Sequence, residues 1–182
     1  MKITVIGRGN IGGGLAGLWE RAGHDVNALG RDGGDASDAD AILVAVPSGA
    51  IADALGKVSG IDGKVAIDAT NAVGQHDESF ESLAHQVKSI VGGPTAKSFN
   101  LNFAVLQSRI GEQRARPSNL FAADDDAREV TEQLISDAGY DPVYTGGLEM
   151  APALEEHIRL MFAVNQGGMG AFFYRIARPG EL

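Results

Sequence analysis

Cysteine is absent from the 182 residues, which removes disulfides, thiolate nucleophiles and Cys-ligated metal from consideration. Basic charge is scarce: 15 Lys and Arg stand against 24 Asp and Glu, a net charge of −9. Neither nucleic acid nor an anionic membrane surface is therefore an expected partner. No apolar run approaches the roughly 18 residues that a membrane span needs. Met1-Lys2 runs straight into a strand-like segment, leaving no room for a signal peptide, and the expected location is cytoplasmic. Lysine does not recur after Lys97, and His24, His76 and His85 lack metal-like spacing, so no metal site is expected.

Glycine, by contrast, is abundant at 25 residues, several of them clustered where a backbone must turn tightly or approach a ligand. Residues 2–6 (KITVI) read as a short buried strand, followed by the turn GRGNIG and a helix with Ile11, Leu15, Leu18 and Trp19 at helical spacing. Asn10 is the expected N-cap of this helix and Gly23 its stop. Further strands are expected at 25–29, 41–46, 64–68, 95–99, 119–123 and 141–144. Helices are expected from Ser48, as a cap, to about Ser59, then at 78–87, 125–139 and from 148 to about 165. A glycine-rich, aromatic tail ends the chain. Strands alternating with helices predict one domain over residues 1–182, an α/β Rossmann-type fold with a doubly wound, mostly parallel sheet.

A lone GxGxxG is a weak motif, but here a strand precedes it and a helix follows. Gly7 allows the tight turn, Gly9 lets the backbone approach a pyrophosphate, and Gly12 lets the helix pack close to the strand. The helix N-terminus then offers free N–H groups to phosphate. The end of the second strand chooses the cofactor. If it ends at Leu29, the ribose-facing position is Gly30, which leaves space, and Arg31 supplies a charge-assisted contact to a 2′-phosphate. Arg8 inside the turn adds a second positive charge. This favours NADP(H). A two-residue shift of the strand end would instead make Asp32 the acid that binds the ribose of NAD.

The combination of GRGNIG, AGHDV, LGR, AVPSGA, IDATNAVG and KSFN resembles the NADPH-dependent coenzyme F420 reductase family, whose fold recurs in the reductase domain of the STEAP metalloreductases. The resemblance runs from Met1 to about Asn100, and more loosely through GGLEMAPALEE. It implies that Gly7, Arg8, Gly9, Asn10, Ile11 and Gly12 lie on the pyrophosphate and Gly30 and Arg31 on the 2′-phosphate. It further implies that Val46, Pro47 and Ser48 line the ribose and nicotinamide side, that Thr70 and Asn71 follow at the same edge, and that Phe99 and Asn100 approach the nicotinamide. Read as residues alone, Val46 and Pro47 equally suit core packing and strand termination, and the asparagines suit turns or caps. The chain departs from the family between Arg31 and the AVP strand, where only about nine polar residues replace a helix and a strand, so the sheet is expected to be trimmed at that edge. Leu101 stands where the family's KAFNT motif has its threonine, and Ala72 where a proline is usual.

The family implies hydride transfer between NADP(H) and a small-molecule acceptor, F420 or a flavin, acting as co-substrate. The cofactor carries that chemistry, so no side-chain acid is required. Related β-hydroxyacid dehydrogenases use a lysine on a large C-terminal domain; with no lysine after Lys97 and no second domain of that size expected, that chemistry is not expected here. A carbonyl or imine reductase would need a proton donor, for which His157 and Tyr174 are the candidates; a solvated helix face and a core or subunit contact are their plainer readings. A non-catalytic NADP(H)-binding regulator is the rival from another class. The C-terminal helix and tail also suit a homodimer contact.

Overall fold

The computed structural model describes residues 1–180. Its first strand, β1 (Lys2–Ile6), leaves Lys2 exposed and buries the other four residues, as a central parallel strand requires. Helix α1 (Asn10–Arg21) buries Gly12, Leu15, Ala16 and Trp19, and Gly23 follows it in the left-handed region at φ 92°. The N-cap is Gly9 rather than Asn10. Strand β2 (Asp25–Leu29) pairs with β1 from Lys2↔Asp25 to Ile6↔Leu29 and forms the sheet's edge. No helix separates it from β4 (Ala41–Val44). Only β3 (Gly34–Asp35) intervenes, pairing with β5 (Val58–Ser59) in a small parallel ribbon apart from the main sheet. The trimmed edge is therefore real.

After β4 the chain makes a 3-10 turn at Ser48–Ala50 and the short α2 (Ile51–Leu55), well short of Ser59. Ser48 is no cap, because its hydroxyl is drawn to a loop instead. Strand β6 (Val65–Asp68) leads into a long loop and then α3 (Leu83–Val91). This helix starts later than its periodicity suggests because Ser82, not a residue near 78, accepts the capping bond from the His85 N–H. Strand β7 (Thr95–Lys97) is followed by an unforeseen 3-10 segment at Ala104–Glu112. That segment reverses the chain so that β8 (Ser118–Ala123) runs antiparallel to β7. Helix α4 (Asp125–Asp137), with Asp125 and Asp126 in its first turn, returns it to β9 (Asp141–Tyr144), parallel to β8. Helix α5 (Ala151–Val164) follows a 3-10 turn and runs into one π-turn.

The seven-stranded sheet has the order β2-β1-β4-β6-β7-β8-β9, with one antiparallel pairing. Alternation along the strands divides the core. Val5, Leu43, Ile67 and Phe121 meet α1 and α4, where Trp19 Nε1 donates to the Leu134 carbonyl at 2.8 Å. Ile6, Ile42, Val44 and Ala66 meet α2 and α3 on the opposite face, and α5 packs on Leu101 and Ala122 through Leu154, Ile158 and Met161. The main parallel strands therefore end together at one edge, beside β1 and β4, where the connections diverge to opposite sides. No helix among the described residues is long and apolar enough to cross a membrane.

Candidate functional site

At that edge Gly7 has φ 107°, and a Cβ there would strike the Ala45 carbonyl of the neighbouring connection. A Cβ on Gly12 would strike the Gly7 carbonyl and crowd the Val5 and Ala45 side chains at 3.1 and 3.2 Å. Both glycines are needed by the packing of α1 against β1. Gly9 is different: nothing lies within 4 Å of where its Cβ would stand. No side chain caps α1 and no acid lies in its first turn, so no side chain of the protein satisfies its leading N–H groups. An uncapped helix N-terminus of this kind is suited to an anion, to which its backbone N–H groups could donate.

Strand β2 ends at Leu29, which makes Gly30 the first residue beyond it and puts Asp32 in the following exposed turn. A Cβ on Gly30 would meet the Arg8 guanidinium, with Nη2 2.5 Å away and Nε and Cζ at 3.1 Å. Arg8 thus lies across the strand end because residue 30 has no side chain. Arg31 is exposed in the turn closed by the Gly33 N–H on the Gly30 carbonyl, at 3.2 Å. Among the described residues neither arginine has an ion pair. In a protein of net charge −9, one such cation therefore lies across the end of β2 and the other is carried by the next turn.

Val46 is half-buried and packs on the α2–α3 side of the core, whereas Pro47 is exposed at the start of the 3-10 turn. Ser48 is buried, its Oγ 3.2 Å from both the Val73 and the Gln75 carbonyl, so one hydroxyl proton holds the loop after β6. Asn71 and Asn100 meet across two strand ends. Asn71 Nδ2 donates to the Asn100 carbonyl at 2.8 Å, and Asn100 Nδ2 donates to Asn71 Oδ1 at 2.9 Å and the Leu154 carbonyl at 3.0 Å. Asn100 Oδ1 is buried without a partner, as is Thr70 Oγ1. Phe99 stands apart from the group to which the sequence assigned it. It adopts φ 61°, and its ring packs edge-on to Trp19 and Tyr140 at centroid distances of 5.8 and 6.3 Å. The side chain is therefore a core element, and only its backbone remains at the strand end.

One cluster escaped the sequence reading altogether. Lys97 is fully buried, its Nζ 2.7 Å from Asp68 Oδ2, 2.6 Å from the Thr70 carbonyl and 2.8 Å from Glu155 Oε1. Asp68 Oδ1 accepts from the Thr70 N–H, and Glu155 Oε1 also accepts from the Leu83 N–H. Burial, offset by the Lys97 charge, holds the Glu155 carboxyl above the ordinary glutamate range. The available signal was a single charged residue closing each of two short buried strands, VAID and TAK, since charges are rarely buried unless paired. Glu155 also lines a cleft of about 560 Å³ between residues 72–76 and α5, with Val73, Ile158 and Phe162 among its apolar walls.

The earlier acid–base candidates fare differently. Tyr174 belongs to the core beneath α5, its hydroxyl accepts from the Leu120 N–H at 3.3 Å, and burial pushes it up to about 12. His157 is half-buried on α5. Among the described residues no group of His, Asp and Glu could hold a metal ion.

No family model and no curated protein matches the chain. Solved structures do match. A protein from Arthrobacter sp. FB24, named for a proposed F420-dependent NADP-reductase activity, superposes with a TM-score of 0.79 at 21% identity, over 98% of this chain and 100% of that one. A hypothetical protein from Sinorhizobium meliloti gives a TM-score of 0.69 at 25% identity, over 84% and 88%. The imine reductase of Streptomyces aurantiacus gives 0.68 at 16% identity over 89% of this chain, which spans 62% of that enzyme. What these proteins share with the chain is the Rossmann-type α/β fold with its C-terminal helix.

Proposed function

We propose that this protein is an NADP(H)-dependent oxidoreductase that passes hydride between the nicotinamide and a planar acceptor such as coenzyme F420 or a flavin. The observation that carries the reading is the conjunction at the sheet edge: an uncapped helix N-terminus above an open Gly9, and two unpaired arginines at Gly30 just past β2. Gly7, Arg8, Gly9, Asn10, Ile11 and Gly12 would hold the pyrophosphate, and Gly30 with Arg31 the 2′-phosphate. Val46, Pro47, Ser48, Thr70, Asn71, Asn100 and the Phe99 backbone would flank the ribose and nicotinamide. The bound cofactor would supply the hydride chemistry; the protein binds, orients and excludes water.

The length of β2 supports NADP over NAD. With the strand ending at Leu29, the ribose-facing position carries no acid, and Asp32 lies three residues further on. The Arthrobacter protein's name pairs the same fold with NADP and F420. Glu155 at its cleft lends weight to a second reading, a carbonyl or imine reductase, in keeping with the likeness to the Streptomyces imine reductase. The chain would act as one domain, and its exposed Leu160 and Val164 on α5 would form the contact of a homodimer.

Parallel titration with NADPH and NADH tests the cofactor assignment. NADPH is expected to bind tighter, and Arg31→Ala to lose about 10- to 100-fold of that affinity, the worth of a charge-assisted contact. Equal affinities in the parent protein remove the assignment. Oxidation of NADPH by F420, FMN or FAD tests the activity; binding and thermal stabilisation without any turnover would favour a regulator instead.

A further inference from the structure

A conjugated C=N system that takes a hydride at one end needs a proton on nitrogen at the other. We propose that the cleft between residues 72–76 and α5 holds the hydride acceptor, and that Glu155 is the acid that protonates it there. This rests on the oxidoreductase reading above. The cleft adjoins Thr70 and Asn71, where β6 reaches the cofactor edge, and its volume of about 560 Å³ falls within the range of small-molecule sites. Val73, Ile158 and Phe162 offer apolar walls to a planar body.

The hydrogen bonding singles out one oxygen. Both carboxylate oxygens of Asp68 are engaged, Oδ2 by Lys97 and Oδ1 by the Thr70 N–H. In Glu155 only Oε1 is engaged, by Lys97 and the Leu83 N–H. Its Oε2 takes part in no hydrogen bond among the described residues, and Glu155 itself lines the cleft. Charge counting agrees. Two carboxylates share one lysine, and a single added proton makes the buried cluster neutral; the carboxyl with a vacant oxygen is where it goes. Burial, the largest influence on Glu155, acts in the same direction.

The step balances as follows. The acceptor gains a hydride from reduced nicotinamide, its π pair moves to nitrogen, and the Oε2–H bond breaks as the N–H bond forms. Glu155 is left as a carboxylate beside Lys97 and is reprotonated by water entering the cleft. The charged and titratable groups around it are Lys97 and Asp68 from the sheet, and His76, Glu81, Glu156 and Arg159 around the cleft.

The test compares the parent protein with Glu155→Gln and Glu155→Asp, each preloaded with NADPH and mixed with F420 or FMN in single turnovers. Glu155→Gln is expected to bind NADPH within about twofold of the parent and to melt normally. Its hydride transfer is expected to be roughly 100-fold slower, the usual contribution of a positioned acid. Glu155→Asp should recover part of the rate. The parent rate should fall as rising pH removes the Glu155 proton, a limb missing in Glu155→Gln. A readout free of turnover is ¹³C-glutamate NMR of the resting protein, with Glu155→Gln assigning the signal; its carboxyl should titrate above the ordinary value of about 4.3. The proposal is overturned by a parent-like rate and pH profile in Glu155→Gln, or by a variant that loses rate, NADPH affinity and stability together. A Glu155 signal that titrates at or below the ordinary glutamate value overturns it as well. A parent that oxidises NADPH with neither acceptor defeats the function reading instead, and Glu155 is then judged on the NMR titration alone.

Discussion

The glycines of one turn do two different jobs, and substitution separates them. Gly9→Ala adds a methyl to open space at φ −72°, which alanine adopts freely. Its stability should stay within about 0.5 kcal/mol of the parent, while NADPH affinity falls because the methyl stands where the pyrophosphate would pack. Gly12→Ala instead drives a methyl into the Gly7 carbonyl and two side chains, and overpacking of that kind costs about 1–3 kcal/mol. Thermal melts alongside cofactor titration would show one loss for Gly9→Ala and both for Gly12→Ala. A normal NADPH affinity in Gly9→Ala would mean that the turn is structural only. The buried charges at Asp68, Lys97 and Glu155 belong to this scale too. Breaking such a group by removing one partner leaves an uncompensated charge, which is why the neutral, isosteric Glu155→Gln is the informative change.

Among the elements, the loop between β6 and α3 matters most to the site, because it forms one wall of the cleft. A single hydroxyl, Ser48 Oγ, fastens it to the turn after β4. Ser48→Ala should cost about 1 kcal/mol, and hydrogen exchange should accelerate at residues 72–76 while the sheet keeps its protection. Unchanged exchange there would show that the loop is held by other contacts. The same serine illustrates what local sequence cannot decide: its type suits a helix cap, yet its partner is a carbonyl 25 residues away. Helix α3 shows the converse, since Ser82 does cap and the helix starts after it. Phe99 likewise belongs by sequence to a strand end beside the site, but its positive φ turns the ring into the core against Trp19 and Tyr140. Such a backbone costs on the order of 1–3 kcal/mol and persists only because the surrounding core imposes it.

At the scale of the whole molecule, the trimmed sheet leaves β2 as an edge strand, and the two-stranded ribbon of β3 and β5 stands beside it. At the far side Leu160 and Val164, one turn apart on α5, are 54% and 37% exposed. If they form the dimer contact, light scattering should give twice the chain mass for the parent and a single mass for Leu160→Glu; a monomeric parent would remove the dimer. The seven strands of the main sheet, the glycine turn, the end of β2 and the missing helix after Arg31 were legible in the sequence. They depend on short-range rules: alternation, helical spacing, and the conformations open only to glycine. Tertiary structure alone decided the rest. It joined Asp68, Lys97 and Glu155, residues 29 to 87 positions apart, into one buried cluster. It set Glu155 in the wall of a cleft, laid Arg8 over Gly30, and sent the Phe99 ring inward. Long-range contacts of this kind follow from how a twisted sheet brings strand ends together, which no window of local sequence encodes.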